Sequence, residues 1–179
     1  MALREIITYP HPILKKNALP VDRVDDTMKR LVEDMLETMY VAPGVGLAAP
    51  QVGQSIQLCV VDVGVQEDKP GSDIVVLFNP KILKAEGKIV WNEGCLSVPD
   101  FEEDIERAAK ITVQAIGRDG KEFQLDAEGL KAVCIQHEMD HLKGVTIADR
   151  VSFTKRNMYL QRVKKGKIER PRPGGRLVI

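Results

Sequence analysis

The sequence predicts an α+β fold in which antiparallel β-sheets pack around a central metal-binding helix in a single compact domain. Three observations predict it. Candidate strands cluster in mid-chain with helical patterns at either end, rather than alternating strand and helix. An Asp-Gly pair joins two of the strands as a hairpin, which makes them antiparallel. Two histidines fall one helical turn apart in the second long helical segment. The length of 179 residues matches one domain, and 44% hydrophobic residues suffice for a core.

The elements follow in chain order. Met28, Leu31, Val32, Met35, Leu36 and Met39 recur with a period of three and four, one apolar stripe that predicts a helix over 25–40. Asp25 stands where an N-cap belongs. Residues 42–54, rich in Gly, Ala and Pro, are too small-sided for an ordinary core strand. Strands are expected at 56–62, 74–78, 82–85, 89–91, 111–116 and 122–125, with residues 118–121 as the hairpin turn. Asp119-Gly120 suits the positive φ angles of such a turn. A helix is expected over 128–142, with Gly144 at its C-terminal end. Another begins after Ser152, as its cap, and runs toward Val163.

Charge balances, with 26 basic and 26 acidic side chains, which argues against a strongly basic nucleic-acid-binding domain. Neither a DNA partner nor a membrane partner is expected: no apolar run of about 18 residues exists to cross a bilayer. The N-terminal segment has no signal-peptide h-region. Three widely spaced cysteines, Cys59, Cys95 and Cys134, argue against a disulfide framework and for the reducing cytoplasm. The balance is uneven along the chain. Residues 150–179 hold ten basic side chains against Glu169, net +9, and the other 149 residues carry net −9. The chain is divided into a main domain, 1–150, and a C-terminal helix with a basic Pro/Gly-containing tail, 151–179. That segment is either a solvated tail or a weak contact for an anionic partner such as RNA.

The strongest chemical signal is His137-Glu138-Met139-Asp140-His141. Histidines at i and i+4 on a helix lie about 40° apart around the axis and about 6 Å along it. Both imidazoles can then reach one divalent ion. The intervening Glu138 can reach a water held by that ion without binding the ion itself, as a general base must. A catalytic site also needs a third ligand and an open position. No histidine or cysteine follows His141, and Asp149 and Glu169 are poorly placed, so the ligand should come from upstream. Cys95, after a short strand and beside Gly94, is the best candidate. Cys59 lies in an apolar strand and reads as core. Cys134 shares the helix face of His137 and could line the site, and His11, between prolines, reads as a surface or packing residue.

Three segments, GVGLAAPQ (44–51), EGCLS (93–97) and QHEMDH (136–141), resemble in order the three motifs of the peptide deformylases. The resemblance runs to about residue 150. It implies a metal-dependent hydrolase that removes the N-formyl group from the initiator methionine of newly made polypeptides, releasing formate. It implies ligation by Cys95, His137 and His141, with Fe²⁺ as native ion and Zn²⁺, Ni²⁺ or Co²⁺ as substitutes, and Glu138 as general base. Gln51, through its side-chain amide, and Leu96, through its N–H, are the implied donors to the oxyanion.

The resemblance also places Val45, Trp91, Leu130, Val133, Cys134 and His137 around a methionine pocket, with Glu93 and Gly94 beside them. Leu130, Val133, Cys134, His137 and His141 share a helix face by spacing alone. Gly44 and Gly46 let a substrate backbone approach closely. Glu93 and Arg107 resemble an ion pair that braces the cysteine loop. Residues 100–104 form an unusually acidic loop that either tunes specificity or is solvated. The basic C-terminal segment could contact the ribosome weakly. Competing expectations are an HExxH-type zinc endopeptidase, which leaves EGCLS unexplained, and a non-catalytic metal-binding relative.

Overall fold

The computed structural model describes residues 2–67 and 69–168. Helix α1 (Asp26–Val41) forms on the expected stripe. Asp25 caps it by accepting the Met28 N–H at 3.0 Å. The strands are β1 (Gly46–Ala48), β2 (Leu58–Asp62), β3 (Ile74–Glu86), β4 (Ile89–Glu93), β5 (Glu103–Arg107), β6 (Lys110–Ile116) and β7 (Glu122–Glu128). Helices α2 (Gly129–Leu142) and α3 (Phe153–Lys164) follow. Five strands form an antiparallel sheet in the order β1-β2-β3-β6-β7, and β4-β5 is a separate antiparallel ribbon.

Side-chain alternation explains how the sheet positions the site. On β2, Cys59 and Val61 face one way and pack with Val133, Ile135 and Met139 of α2. Leu58 and Val60 face the other way and pack with Leu31, Met35 and Met39 of α1. The sheet is therefore covered on both faces here, and β2 reads as an unbroken apolar run for that reason. Helix α2 is buried nearly all round, the state of a helix inside the fold rather than on its surface. A third cluster joins Tyr9 and Leu14 of the N-terminal segment, Cys95 and Val98, and Tyr159 of α3.

Several elements differ from expectation. The strands expected at 74–78 and 82–85 are one strand, β3, with register shifts between Phe78 and Lys81 and between Ile82 and Lys84. Asn79-Pro80 looks like a breaker but is absorbed as a bulge. Asn79 takes φ +50°, and its amide both donates to Val21 O and accepts from Val21 N–H, each at 2.8 Å. β1 lies in the segment that is too small-sided for an ordinary core strand, and forms because its backbone pairs with β2. In the 118–121 turn only Gly120, at φ +78°, takes a positive angle, and Asp119 instead accepts the Lys121 N–H.

The acidic segment 100–104 is not all loop: Glu103 and Asp104 open β5. Nor is it simply solvated, for Glu103 pairs with Lys155 at 2.6 Å, and Asp100 O accepts from Arg162 at 3.2 Å. The basic and acidic segments thus answer each other across α3. Of the basic segment, Arg170, Arg172 and Arg176, with Glu169, lie outside the described residues.

Candidate metal centre and active site

Helix α2 places His137 and His141 on one face, with ring centroids 5.1 Å apart. The turn after β4 brings Cys95 to them, its Sγ 3.3 Å from His141 Nε2. One ligand atom from each of Cys95, His137 and His141 lies within 4.8 Å of the others, and all three residues are buried. The Gln51 amide Nε2 points at the same sulfur from 3.7 Å. Its orientation is set at the other end, where Oε1 accepts the Ala48 N–H at 2.7 Å.

The donor set fits a divalent transition-metal ion: one soft sulfur and two imidazoles, with no fourth protein ligand among the described residues. Orphaned atoms point the same way. His137 Nε2 and both carboxylate oxygens of Glu138 are buried with no hydrogen-bond partner. Burial pushes the Glu138 carboxyl well up; Arg107 opposes this, while Glu93 and Asp140 add to it. Burial also drives the His141 imidazole well below its ordinary value, favouring the neutral ring that binds metal. The Cys95 thiol is pushed up by burial and then by Glu138, against the backbone N–H groups of Ser97 and Val98, which favour its thiolate. A bound cation would reverse that balance.

Behind the ligands runs a buried charge chain. His137 Nδ1 lies 2.8 Å from Glu93 Oε2. Arg107 grips both Glu93 oxygens, at 2.6 and 2.8 Å, and reaches Asp140 Oδ2 at 2.6 Å. Arg150 closes on Asp140 with two bonds, at 2.5 and 2.6 Å. Burial alone would raise the Glu93 carboxyl, but the hydrogen bonds from Arg107 and His137 outweigh it and hold the group below its usual range. Both Glu93 oxygens are thus occupied by side chains of the protein. The pairing of Glu93 with Arg107 is the one the resemblance implied. Asp140 and Arg150 were missed, because Arg150 was counted with the basic tail.

The glycines of the first motif serve close contact. A Cβ on Gly46 would lie 2.4 Å from Glu138 Oε1 and 2.8 Å from Cys134 Sγ. One on Gly44 would lie 2.7 Å from Leu96 Cδ1. Val45, Val133 and Cys134 are fully buried in the cluster between α2 and the sheet, with Trp91 and Leu130 half-buried against it. The Cys134 thiol donates to Val45 O at 3.6 Å. Gly94 is buried between Glu93 and Cys95. No backbone carbonyl among the described residues accepts from the Leu96 N–H. Cys59 is core, as expected. His11 is exposed and its Nδ1 accepts the Ile13 N–H, while Asp149 pairs with Lys15 and Thr146, away from the centre.

The polypeptide deformylase family model matches residues 3–157. The peptide deformylase of Syntrophobacter fumaroxidans is 47% identical over 165 residues, spanning 92% of this chain and 96% of that protein. Among solved structures, a peptide deformylase from Legionella pneumophila is 42% identical with a TM-score of 0.86, covering 93% of this chain and 96% of that one. The peptide deformylase from Ehrlichia chaffeensis in complex with actinonin is 36% identical with a TM-score of 0.87, covering 93% and 99%. With the match running through all three motifs and the ligand-bearing helix, the chain belongs to the polypeptide deformylase family.

Proposed function

We propose that this chain hydrolyses the formamide of N-formylmethionyl ends on newly made polypeptides, releasing formate. The observation that carries the reading is the pair of unpartnered Glu138 oxygens, buried beside the Cys95, His137 and His141 ligand group. A divalent ion held by Cys95 Sγ and the two imidazoles would supply Lewis acidity, making water nucleophilic near neutral pH and drawing charge from the formyl oxygen. Glu138 takes the proton of the attacking water on a carboxylate oxygen and passes it to the leaving amine nitrogen. Gln51 Nε2 and the Leu96 N–H donate to the formyl oxygen as it gains charge. Gly44, Val45, Gly46 and Gly94 receive the peptide through their backbone, since the Cβ positions of Gly44 and Gly46 face Leu96 and Glu138. Trp91, Leu130, Val133 and Cys134 surround the methionine side chain, and Glu93 steadies His137 behind it.

Formate release from formyl-Met peptides by the wild type and by Glu138→Ala tests this. Loss of about 10²–10⁴ in rate is expected for the variant. Release that survives the substitution ends the general-base assignment, and cleavage of unformylated peptides would favour an endopeptidase instead.

Fe²⁺ is the proposed native ion, with Zn²⁺, Ni²⁺ and Co²⁺ as substitutes, and the cytoplasm the proposed compartment. Iron beside a thiolate is open to oxidation, so the iron form should lose activity in air faster than the nickel form. Equal half-lives would count against iron. The basic C-terminal segment is proposed to touch the ribosome weakly. Arg150, Lys155, Arg156 and Arg162 are paired within the fold, which leaves Lys164, Lys165 and Lys167 to carry the contact among the described residues. Replacing these three lysines by glutamate should reduce ribosome co-sedimentation and spare formate release from free peptides. Unchanged co-sedimentation ends the idea.

A further inference from the structure

Asp140 sits on α2 between the two histidines, and its carboxylate receives two arginines. Arg107 reaches it from β5 at 2.6 Å, and Arg150 reaches it from the turn before α3 at 2.5 and 2.6 Å. The Arg107 side chain is 2% exposed and the Glu93 side chain 0% exposed, whereas the Arg150 side chain is 36% exposed. Arg150 is therefore where the buried chain meets solvent.

Charge counting shows what it does there. Glu93, Arg107 and Asp140 alone would leave one uncompensated negative charge in the interior, beside Glu138. A buried charge without a partner is strongly destabilising, so the single Arg107 would be contested by two carboxylates. Arg150 satisfies Asp140 through a planar two-point fork and releases Arg107 to hold both Glu93 oxygens. Glu93 in turn holds His137 Nδ1, which leaves Nε2 as the buried, unpartnered nitrogen of the ring.

We propose that Arg150 is a positioning residue of the metal centre, acting through Asp140, Arg107 and Glu93 on the ring orientation of His137. This rests on the Cys95, His137 and His141 reading of the centre. The fork also ties the orientation of α2 to the short 3-10 helix Ile147–Asp149, which Arg150 terminates by donating its N–H to Ile147 O at 3.1 Å.

The test is cobalt substitution of the whole protein, reading the visible spectrum of the Co²⁺ form and the rate of cobalt loss to a chelator. Wild-type protein that gives no thiolate–cobalt spectrum would overturn the metal-centre reading and this inference with it. Given a wild-type spectrum, Arg150→Gln is expected to shift it and to speed metal loss about tenfold, the lower end for a partner behind a ligand. Arg150→Lys, which keeps the charge but not the fork, should recover part of that loss. In an Asp140→Asn background, Arg150→Gln should add nothing. Lys155→Gln, which weakens the contact of α3 with Glu103 but leaves Asp140 alone, should leave spectrum and rate unchanged. An unaltered spectrum and rate in Arg150→Gln, or an equal change in Lys155→Gln, would overturn the proposal.

Discussion

The side-chain amide of Gln51 is fixed end to end: its oxygen takes the Ala48 N–H at 2.7 Å and its nitrogen faces Cys95 Sγ at 3.7 Å. The amide cannot turn over without leaving the Ala48 N–H unpaired in a buried position, at a cost of about 1–3 kcal/mol. Gln51→Glu keeps the acceptor and removes the donor. It should lower kcat by about 10²–10³ with KM little changed, since the donor acts on charge that develops in the transition state. Steady-state kinetics on a formyl-Met peptide check this. A fall confined to KM would mean that Gln51 binds substrate only.

Gly46 is required by the space around Glu138. A methyl group there would overlap Glu138 Oε1 and press on Cys134 Sγ, both of which are fully buried. Gly46→Ala should destabilise the fold by about 1–3 kcal/mol, as overpacking does. Displacing the carboxylate should also cost about 10² or more in kcat. Denaturant unfolding separates the two effects, because a loss of activity in protein that is still folded belongs to Glu138.

What the sequence makes legible follows from how local its causes are. The α1 stripe and the His137–His141 spacing are properties of one helix, visible within a dozen residues. Cys95 follows from the absence of a downstream ligand and from the motif around it. β1 is not legible because Gly-Leu-Ala has no β-forming side chains, and its extended state comes from pairing with β2. β5 is hidden because one of its inward positions is a charged residue, Arg107, so Glu-Asp-Ile-Glu-Arg reads as a polar loop until Glu93 and Asp140 are seen around it. The pairing of Asp140 with Arg150 needs the chain to reverse after Gly144, which takes φ +69° against the Lys15 backbone. Ten residues of separation give no periodic signal of it.

Glu93→Gln tests the support behind His137. The amide can still accept from the imidazole but carries no charge for Arg107, which keeps Asp140 as its only anionic partner. Removing one partner of a buried ion pair costs about 3–5 kcal/mol, and the remaining Asp140 contact favours the lower figure. Activity at saturating metal should fall about 10–100-fold, as for other groups that orient a ligand. Unfolding curves and metal titration of the variant measure both. Wild-type metal affinity together with wild-type stability would remove Glu93 from this role.

The turn between α2 and α3 should weaken in acid, and the sign follows from Asp149. Burial pushes its carboxyl up, but Lys15 and the Thr146 N–H and hydroxyl, at 2.8 and 2.9 Å, more than offset this and hold it below its ordinary value of 3.8. A carboxyl lowered in the folded state adds stability that is fully present above the unfolded value. That stability is lost as pH falls through the lower, folded one. Asp149→Asn should therefore cost about 1–2 kcal/mol near neutrality, a modest figure because Lys15 and Arg156 are partly exposed. The difference between wild type and variant should shrink as the pH is taken below about 4. Denaturant unfolding at a series of pH values between about 6 and 3 reads this difference directly. A gap that stays constant through that range would mean that the Asp149 charge contributes nothing, and that the variant suffers only from its lost hydrogen bonds.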